Sequence, residues 1–386
     1  MPATSADHEQ PYPRFSDAEL DRRRAHSEQL ILAKGLDALI LYGADRSGTA
    51  VRWLTEWPVT REAAVLVQPG RPDLLLVQFR NHVPNATVIA YRAEVRWGGA
   101  DTMRTVCAEL DQRGAARIGT IGGMRERDHR LLAERSADVV SLDTEYVRLR
   151  LVKSPEEIEW MTKGAELSDR AVLALRDQVR PGIDEYDLGA IVESSYLGKG
   201  GTTLIHYFGV TAMDGPALAV PRQWPTARSL QSGDVLVTEL SASWWGYPGQ
   251  VLRTMVLADE PNEVYAKLHE VADAAYDAIL GMLRPGVTAD EVINAGSVIE
   301  DAGFTTYDDL VHGFGGGYLP PVIASRSRAD APVPTEVFMS GMTVVIQPNV
   351  VTTDEAAGVQ TGGLVLVTDD GAVPLQRAER GLWCLG

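Results

Sequence analysis

Cysteine is scarce in this chain: Cys107 and Cys384 are the only two in 386 residues. They lie far apart and give no disulfide framework and no paired-thiolate zinc spacing. A reducing cytoplasm is therefore the expected compartment. Basic residues are also in deficit. Thirty-six lysines and arginines face 53 aspartates and glutamates, a formal net charge of −17. That balance argues against nucleic acid or an anionic membrane as partner, because both are held by basic patches. A small anionic substrate in a locally positive pocket remains compatible with it. Long apolar runs are missing, so no membrane span is expected. The stretch from Met1 to Leu20 is polar, and no signal peptide is expected there. The glycine-rich stretch Gly313 to Gly317 lacks the strand, helix and lysine of a phosphate loop. It reads as tight backbone, not as a nucleotide cradle.

What remains is ample material for a folded core. Hydrophobic residues make up 45% of the chain, and the length points to two or three domains. Residues 16–35 predict a helix capped by Ser16. Ala38 to Tyr42, ending at Gly43, reads as a buried strand. Ala63 to Val67 and Asp73 to Val77 flank Pro69-Gly70 and predict a hairpin. Arg117 to Ile121 and Asp138 to Leu142 predict two more strands around a helix. This α/β block, residues 16–148, follows a flexible N-terminus over 1–15 and precedes a second domain over 149–386.

The boundary is marked by Ser154-Pro155-Glu156-Glu157, a capping hydroxyl, a first-turn proline and a glutamate able to reach back. A long helix should run from there to about Val179. Arg180-Pro181-Gly182 ends it, and Arg284-Pro285-Gly286 stands between helices again about a hundred residues later. The repetition suggests a duplicated helix-turn-helix-plus-sheet unit. Strands are expected at Asp234–Leu240, Met342–Gln347 and Leu364–Thr368.

Those strands carry a pattern. Gly233-Asp234, Glu239, Gly246-Tyr247, Gln250 and Arg253-Thr254 follow one another, then His312-Gly313-Phe314-Gly315, Gly341-Met342 with Gln347-Pro348, and Gly358-Val359 with Gly362. In combination they resemble the creatinase/aminopeptidase P/prolidase family. The resemblance implies an α/β N-terminal domain and an α+β C-terminal pita-bread domain, a curved antiparallel sheet with helix pairs related by pseudo-twofold symmetry. Metal-dependent members hold two divalent cations with two Asp, one His and two Glu. Carried over, those positions are Glu239, Gln250, His312, Gln347 and Gly362. One carboxylate of four remains, so two dications would leave about three positive charges uncompensated. Amides are poor ligands for small hard cations. Arg222 stands before Pro225 where many family peptidases have a histidine, and Leu319 stands where a second catalytic histidine is expected.

The expectation is accordingly an enzyme with no metal and no cofactor. Creatinases share the fold, work without metal and cleave a C–N bond in a small guanidino acid. By that precedent the chain is expected to be a metal-independent hydrolase of a small, carboxylated nitrogenous molecule. Glu239 and His312 would be its catalytic acid–base pair. A metal-free lyase, decarboxylase or isomerase and a non-catalytic pseudo-peptidase stand as alternatives, and a conventional Xaa-Pro metallopeptidase is set aside. Arg61, in Val59-Thr60-Arg61-Glu62, resembles the creatinase arginine that reaches the neighbouring subunit's substrate, which implies a homodimer. Arg222 could hold an anionic group, against a plain surface role. Gln250 and Gln347 could bind substrate or bond to each other. Glu239 could instead pair with Arg253. Trp244 or Trp245 could line the pocket, and His206 is expected in a loop near it.

Overall fold

The computed structural model describes residues 12–136, 138–328 and 332–386; most of the N-terminal segment expected to be flexible, residues 1–11, lies outside them. The chain divides into two compact units, Met1–Arg150 and Leu151–Gly386.

The first unit is a mixed six-stranded sheet flanked by helices. Its strands are β1 (Ala38–Gly43), β2 (Ala63–Val67), β3 (Leu74–Val77), β4 (Glu94–Trp97), β5 (Arg117–Ile121) and β6 (Asp138–Ser141). They lie in the order β4-β3-β2-β1-β5-β6. The β2–β3 pair is the antiparallel hairpin expected around Pro69-Gly70, while β1, β5 and β6 run parallel. Six helices connect or cover them: α1 (Asp17–Ala33), α2 (Thr49–Thr55), α3 (Val83–Ile89), α4 (Thr102–Gln112), α5 (Glu126–Arg135) and α6 (Asp143–Leu149). Both sheet faces are covered, so β1, β2 and β3 are buried at every position and read as continuous apolar runs. Ser16 caps α1 by accepting from the Glu19 amide at 3.2 Å.

The second unit opens with α7 (Pro155–Gln178). Ser154 and Glu157 close the reciprocal cap at 3.2 and 3.0 Å. Helix α8 (Glu185–Tyr196) follows, then β7 (Gly201–Ala212), β8 (Asp234–Trp244), the short β9 (Tyr247–Pro248) and β10 (Val251–Leu257). The second half repeats the order. Helices α9 (Glu263–Met282) and α10 (Ala289–Gly296) precede β11 (Val311–Phe314), β12 (Tyr318–Ile323), β13 (Thr343–Ile346), β14 (Asn349–Val351), β15 (Gly358–Gln360) and β16 (Gly362–Thr368). The main sheet runs β12-β11-β13-β16-β10-β8-β7, and every adjacent pair in that order is antiparallel. The halves meet at β16–β10, where the two helix-pair repeats give the fold its pseudo-twofold symmetry. Leucines and valines of α7, α8, β7 and β8 form one core, and those of α9, α10, β11 and β13 form a larger one. This is the α/β plus pita-bread architecture that the sequence implied. Among the described residues no helix is long and apolar enough to cross a membrane.

Glu56 sits oddly in the first unit. It follows α2 in the left-handed region (φ 62°) and is 5% exposed. One carboxyl oxygen accepts from the Phe15 amide at 2.8 Å and the other has no partner. Burial pushes its carboxyl up to about 7. The unfolded chain ionises Glu56 near its ordinary value, while the folded chain resists until about 7. Stability is thus lost as pH rises through that window, by about 2 kcal/mol between pH 5 and 8. Glu56→Gln keeps the acceptor for Phe15 and removes the charge. Its thermal midpoint, followed by circular dichroism, should exceed that of the parent protein by a few degrees at pH 8 and by much less at pH 5.

Candidate functional site

Strand alternation sorts the second unit's side chains between two faces. In β8, Leu240 and Ala242 join the core built with α7 and α8. Glu239 therefore turns the other way. Its cross-strand partners Tyr207 and Leu252 share its face, and Gln250 is two residues before Leu252. Leu252 belongs to a small apolar group with Met161, Phe314, Val345 and Leu364. His312 pairs with Val345 across β11 and β13, so it arrives on that same side. Gln347 follows β13 directly and is fixed by its amide, which donates to the Leu310 carbonyl at 2.9 Å.

Four of the expected side chains meet here. Gln250 Nε2 donates to Glu239 Oε1 at 2.8 Å and to Gln347 Oε1 at 3.2 Å. Gln347 Oε1 is also 3.2 Å from His312 Nε2, and His312 Nδ1 is 3.0 Å from the Gly313 carbonyl. Both imidazole nitrogens face oxygen, while a neutral ring carries one hydrogen. With the hydrogen on Nδ1 the ring donates to Gly313 and leaves Nε2 unprotonated; with it on Nε2 the ring donates to Gln347 Oε1. Burial pushes His312 down to about 4 and Glu239 up to about 8, the latter helped by the Asp308 charge. At neutral pH the imidazole is uncharged and the Glu239 carboxyl holds its proton. Gln250, His312 and Gln347 are fully buried; Glu239 is half-buried.

Sequence reasoning missed the rest of the lining. Tyr318 stacks on His312 with ring centroids 3.7 Å apart and planes 14° from parallel. A register shift between His312 and Gly313 sets the register of β12 against β11, pairing Gly313 with Leu319, and nothing local in the sequence announces such a bulge. Asp308 and Asp309 lie just before β11. Burial raises both, Asp309 to about 6 with Asp308 adding to it. Gln360 Nε2 donates to Asp308 Oδ2 at 3.4 Å. An acidic pair three and four residues ahead of His312 was the available signal.

Other expected residues stand elsewhere. His206 lies in β7, not in a loop, and turns to the helix side, with Nδ1 3.5 Å from Glu193 of α8; Tyr207, its neighbour, is the one that faces Glu239. Trp244 ends β8 on the helix face, beneath Lys163. Trp245 is not in a strand. With Gly246 it forms a two-residue hairpin turn, both at positive φ (47° and 84°). His312 lies in β11. Arg222 Nη1 is 3.4 Å from the fully buried Glu185, and this pairing takes it out of the Glu239 cluster. Arg253 does not pair with Glu239. It occupies the opposite face, where its guanidinium donates to the carbonyls of Leu252, Gly362, Ala378 and Glu379. Arg61, in the first unit, is exposed and 3.0 Å from Asp45.

Residues 159–369 match the model of metallopeptidase family M24. The Xaa-Pro dipeptidase of Pyrococcus furiosus is 30% identical over 240 residues, which cover 61% of this chain and 65% of that protein. The Xaa-Pro dipeptidase of Pyrococcus horikoshii is 28% identical over 235 residues, covering 61% and 65%. The matched region thus spans just under two thirds of either relative. Among solved structures, an Xaa-Pro dipeptidase from Bacillus anthracis superposes with a TM-score of 0.81 at 18% identity, covering 95% of this chain and all of that one. These findings overturn the functional expectation. A metal-independent hydrolase of a small metabolite, its lyase and pseudo-peptidase alternatives, and the dismissal of an Xaa-Pro peptidase all rested on five ligand positions. The family signal extends over more than two hundred residues, and the relatives it leads to are dipeptidases.

The five positions themselves do not fit a pair of dications. Gln250 spends its amide hydrogens on Glu239 and Gln347, and the Gly362 carbonyl is taken by Arg253 at 2.9 Å. Among the described residues no three His, Cys, Asp or Glu are placed to hold a metal ion. Gly362 has φ +141°, and a Cβ there would lie 2.0 Å from the Ile346 carbonyl oxygen. The missing glutamate cannot be restored without moving backbone. Gly362→Ala should therefore lower unfolding stability by about 2–4 kcal/mol in urea titration, whereas Gly363→Ala, at ordinary φ, should cost less.

Proposed function

The chain belongs to metallopeptidase family M24, and from that premise we propose that it is a dipeptidase taking Xaa-Pro-type substrates. The observation that carries the reading is the convergence of Glu239, Gln250, His312 and Gln347 in one hydrogen-bonded cluster on the sheet region matched by the family. Relatives over that region are named Xaa-Pro dipeptidases.

Peptide cleavage requires that water add to the carbonyl carbon and that the leaving nitrogen gain a proton. Glu239 is suited to the second task. Its carboxyl is protonated at neutral pH, and Gln250 holds one of its oxygens at 2.8 Å, leaving the other to turn toward substrate. His312, kept neutral by burial, is able to accept a hydrogen through Nε2 in the tautomer that carries its own hydrogen on Nδ1, against the Gly313 carbonyl. Gln250 and Gln347 fix both groups. The Tyr318 ring, stacked on His312, covers the imidazole and restricts water from its face. The supporting side chains are neutral amides, which orient an amide substrate by hydrogen bonding.

The test is release of free proline from a panel of Ala-Pro, Leu-Pro and Phe-Pro, against Ala-Leu and Leu-Leu, each with chelator and with added manganese. Hydrolysis of the Xaa-Pro set in either condition, reduced by at least about 100-fold in Glu239→Gln without change in thermal midpoint, is expected. No proline release under both conditions would overturn the reading.

A further inference from the structure

The chain between β7 and β8 lies across the face that carries Glu239. In β7, Gly209 pairs with Val237, two residues before Glu239, and follows Tyr207 by two residues. The pleat therefore puts Gly209 on the Glu239 face. A Cβ at Gly209 would meet Leu218 Cδ2 at 2.8 Å, the Val220 carbonyl oxygen at 3.1 Å and Pro221 Cα at 3.2 Å. The same stretch reaches the β14–β15 ribbon. Leu218 bridges Ala357, and the Ala219 carbonyl accepts from Asn349 Nδ2 at 3.3 Å. A Cβ at Gly358 would lie 2.2 Å from that carbonyl oxygen. Residues 217–222 thus form a strap seated on two glycines, each a place where a second backbone approaches closely. Leu218 and Val220 stay half-buried, as do Tyr207 and Glu239 on the sheet beside them.

Beyond the strap the chain leaves the sheet and is caught by one side chain. Arg222 still donates its amide to the Phe208 carbonyl at 2.9 Å. Glu185, the first residue of α8, is fully buried. It accepts from the Thr226 amide at 2.7 Å and the Thr226 hydroxyl at 2.8 Å, and faces Arg222 Nη1 at 3.4 Å. The two residues it holds enclose Gln223-Trp224-Pro225. Trp224 is 82% exposed, so this turn is not fixed by packing of its indole. Further on, main-chain bonds hold the segment. Glu185 donates to the Arg228 carbonyl, Leu230 to that of Ile183 and Gly182 to that of Leu230, at 2.8–3.0 Å. Helix α8 itself is kept in place by Leu188 and Val192 in the core. The Glu185 carboxylate therefore acts on residues 222–226.

We propose that Glu185 is a positioning residue: it latches the strap over the Glu239 face, and the strap is the wall against which the substrate is fitted. A buried carboxylate is costly unless its oxygens are matched, and here the matching groups come from the strap's far end. A neutral acceptor would serve Thr226 equally well; the charge adds the hold on Arg222. The proposal rests on the dipeptidase reading for the identity of the substrate, while the latch itself does not.

Glu185→Gln keeps one oxygen for Thr226 and sets an NH2 against Arg222, so it opens the latch without emptying the space. Thr226→Val removes the hydroxyl and keeps the amide, and Thr226→Ser restores the hydroxyl. Proline release from Leu-Pro is followed as kcat and KM, with the thermal midpoint measured alongside. Glu185→Gln and Thr226→Val are expected to raise KM at least about fivefold with kcat held within about twofold, and Thr226→Ser to match the parent protein. A merely structural Glu185 would lower the midpoint and leave KM unmoved; unchanged KM in both variants overturns the proposal. If Glu185→Gln does not fold, Thr226→Val carries the test. Limited trypsin digestion reads the latch without any substrate, because trypsin must take the Arg222 side chain that Glu185 holds. Cleavage at Arg222-Gln223, mapped by mass spectrometry, is expected to be at least about tenfold faster in the unlatched variant; no acceleration overturns the latch. If the parent protein releases no proline, the dipeptidase reading falls and the digestion alone decides the latch.

Discussion

The amide of Gln250 is the constraint around which the second unit's site is organised. It joins Glu239 on β8 to Gln347 after β13, and through Gln347 it reaches His312 on β11. Three strands from both halves of the pseudo-twofold fold are thereby tied at one point by neutral hydrogen bonds. A dinuclear metal centre would tie the same strands by charge, and would need carboxylates where the amides stand. Amides impose a different economy on the cavity. Each brings a donor and an acceptor that must both be matched when buried, and at Gln250 only the donor is matched internally. The cluster is therefore structurally closed on one side and chemically open on the other.

That arrangement survives because the sheet has two unlike faces. One residue further along each strand, the side chains belong to the helices. Arg253 pairs with Thr238 across β8 and β10, one position from Glu239, yet its guanidinium serves four backbone carbonyls on the far side, where burial lowers it to about 10. The positive charge nearest in sequence to the site is thus spent on holding β10, β16 and the C-terminal segment together. The same alternation takes His206 and Trp244 off the Glu239 face and places Tyr207 on it. The pleat, and not distance along the chain, decides which residues share that face.

Much of the fold was legible. The Ser154 cap, both Arg-Pro-Gly turns, the Pro69-Gly70 hairpin and the buried runs of β1, β2, β8 and β16 rest on local chemistry that reads directly. So did the residues of the central cluster, because Glu239, Gln250, His312 and Gln347 fall at fixed spacings in a recognisable pattern. What escaped was non-local. Strand β4 carries Glu94, Arg96 and Trp97, is exposed at both ends, and shows no apolar run. Strand β7 is interrupted by polar residues, so His206 was placed in a loop. Tyr318 enters through a bulge. Asp308 and Asp309 went unread, and Gln360, which reaches Asp308, lies far along the chain. The functional expectation failed for a related reason. It weighed three lost carboxylate ligands, each visible alone, above a resemblance distributed over the whole unit.

The lost ligands leave a mark on both the electrostatics and the backbone of the site. Relative to the ligand pattern, negative charge is absent at Gln250, Gln347 and Gly362, while Asp308 and Asp309 stand on the approach to β11. At Gly362 the change is built into the backbone, since φ +141° and the Ile346 carbonyl leave no room for a Cβ. A centre that had merely lost its ions would keep the space for their ligands. Here that space is closed by main chain at one point and crossed by an amide at another, while acidic groups gather beside it. The ligand positions are therefore held to one another by neutral hydrogen bonds where the pattern would place carboxylates around two dications.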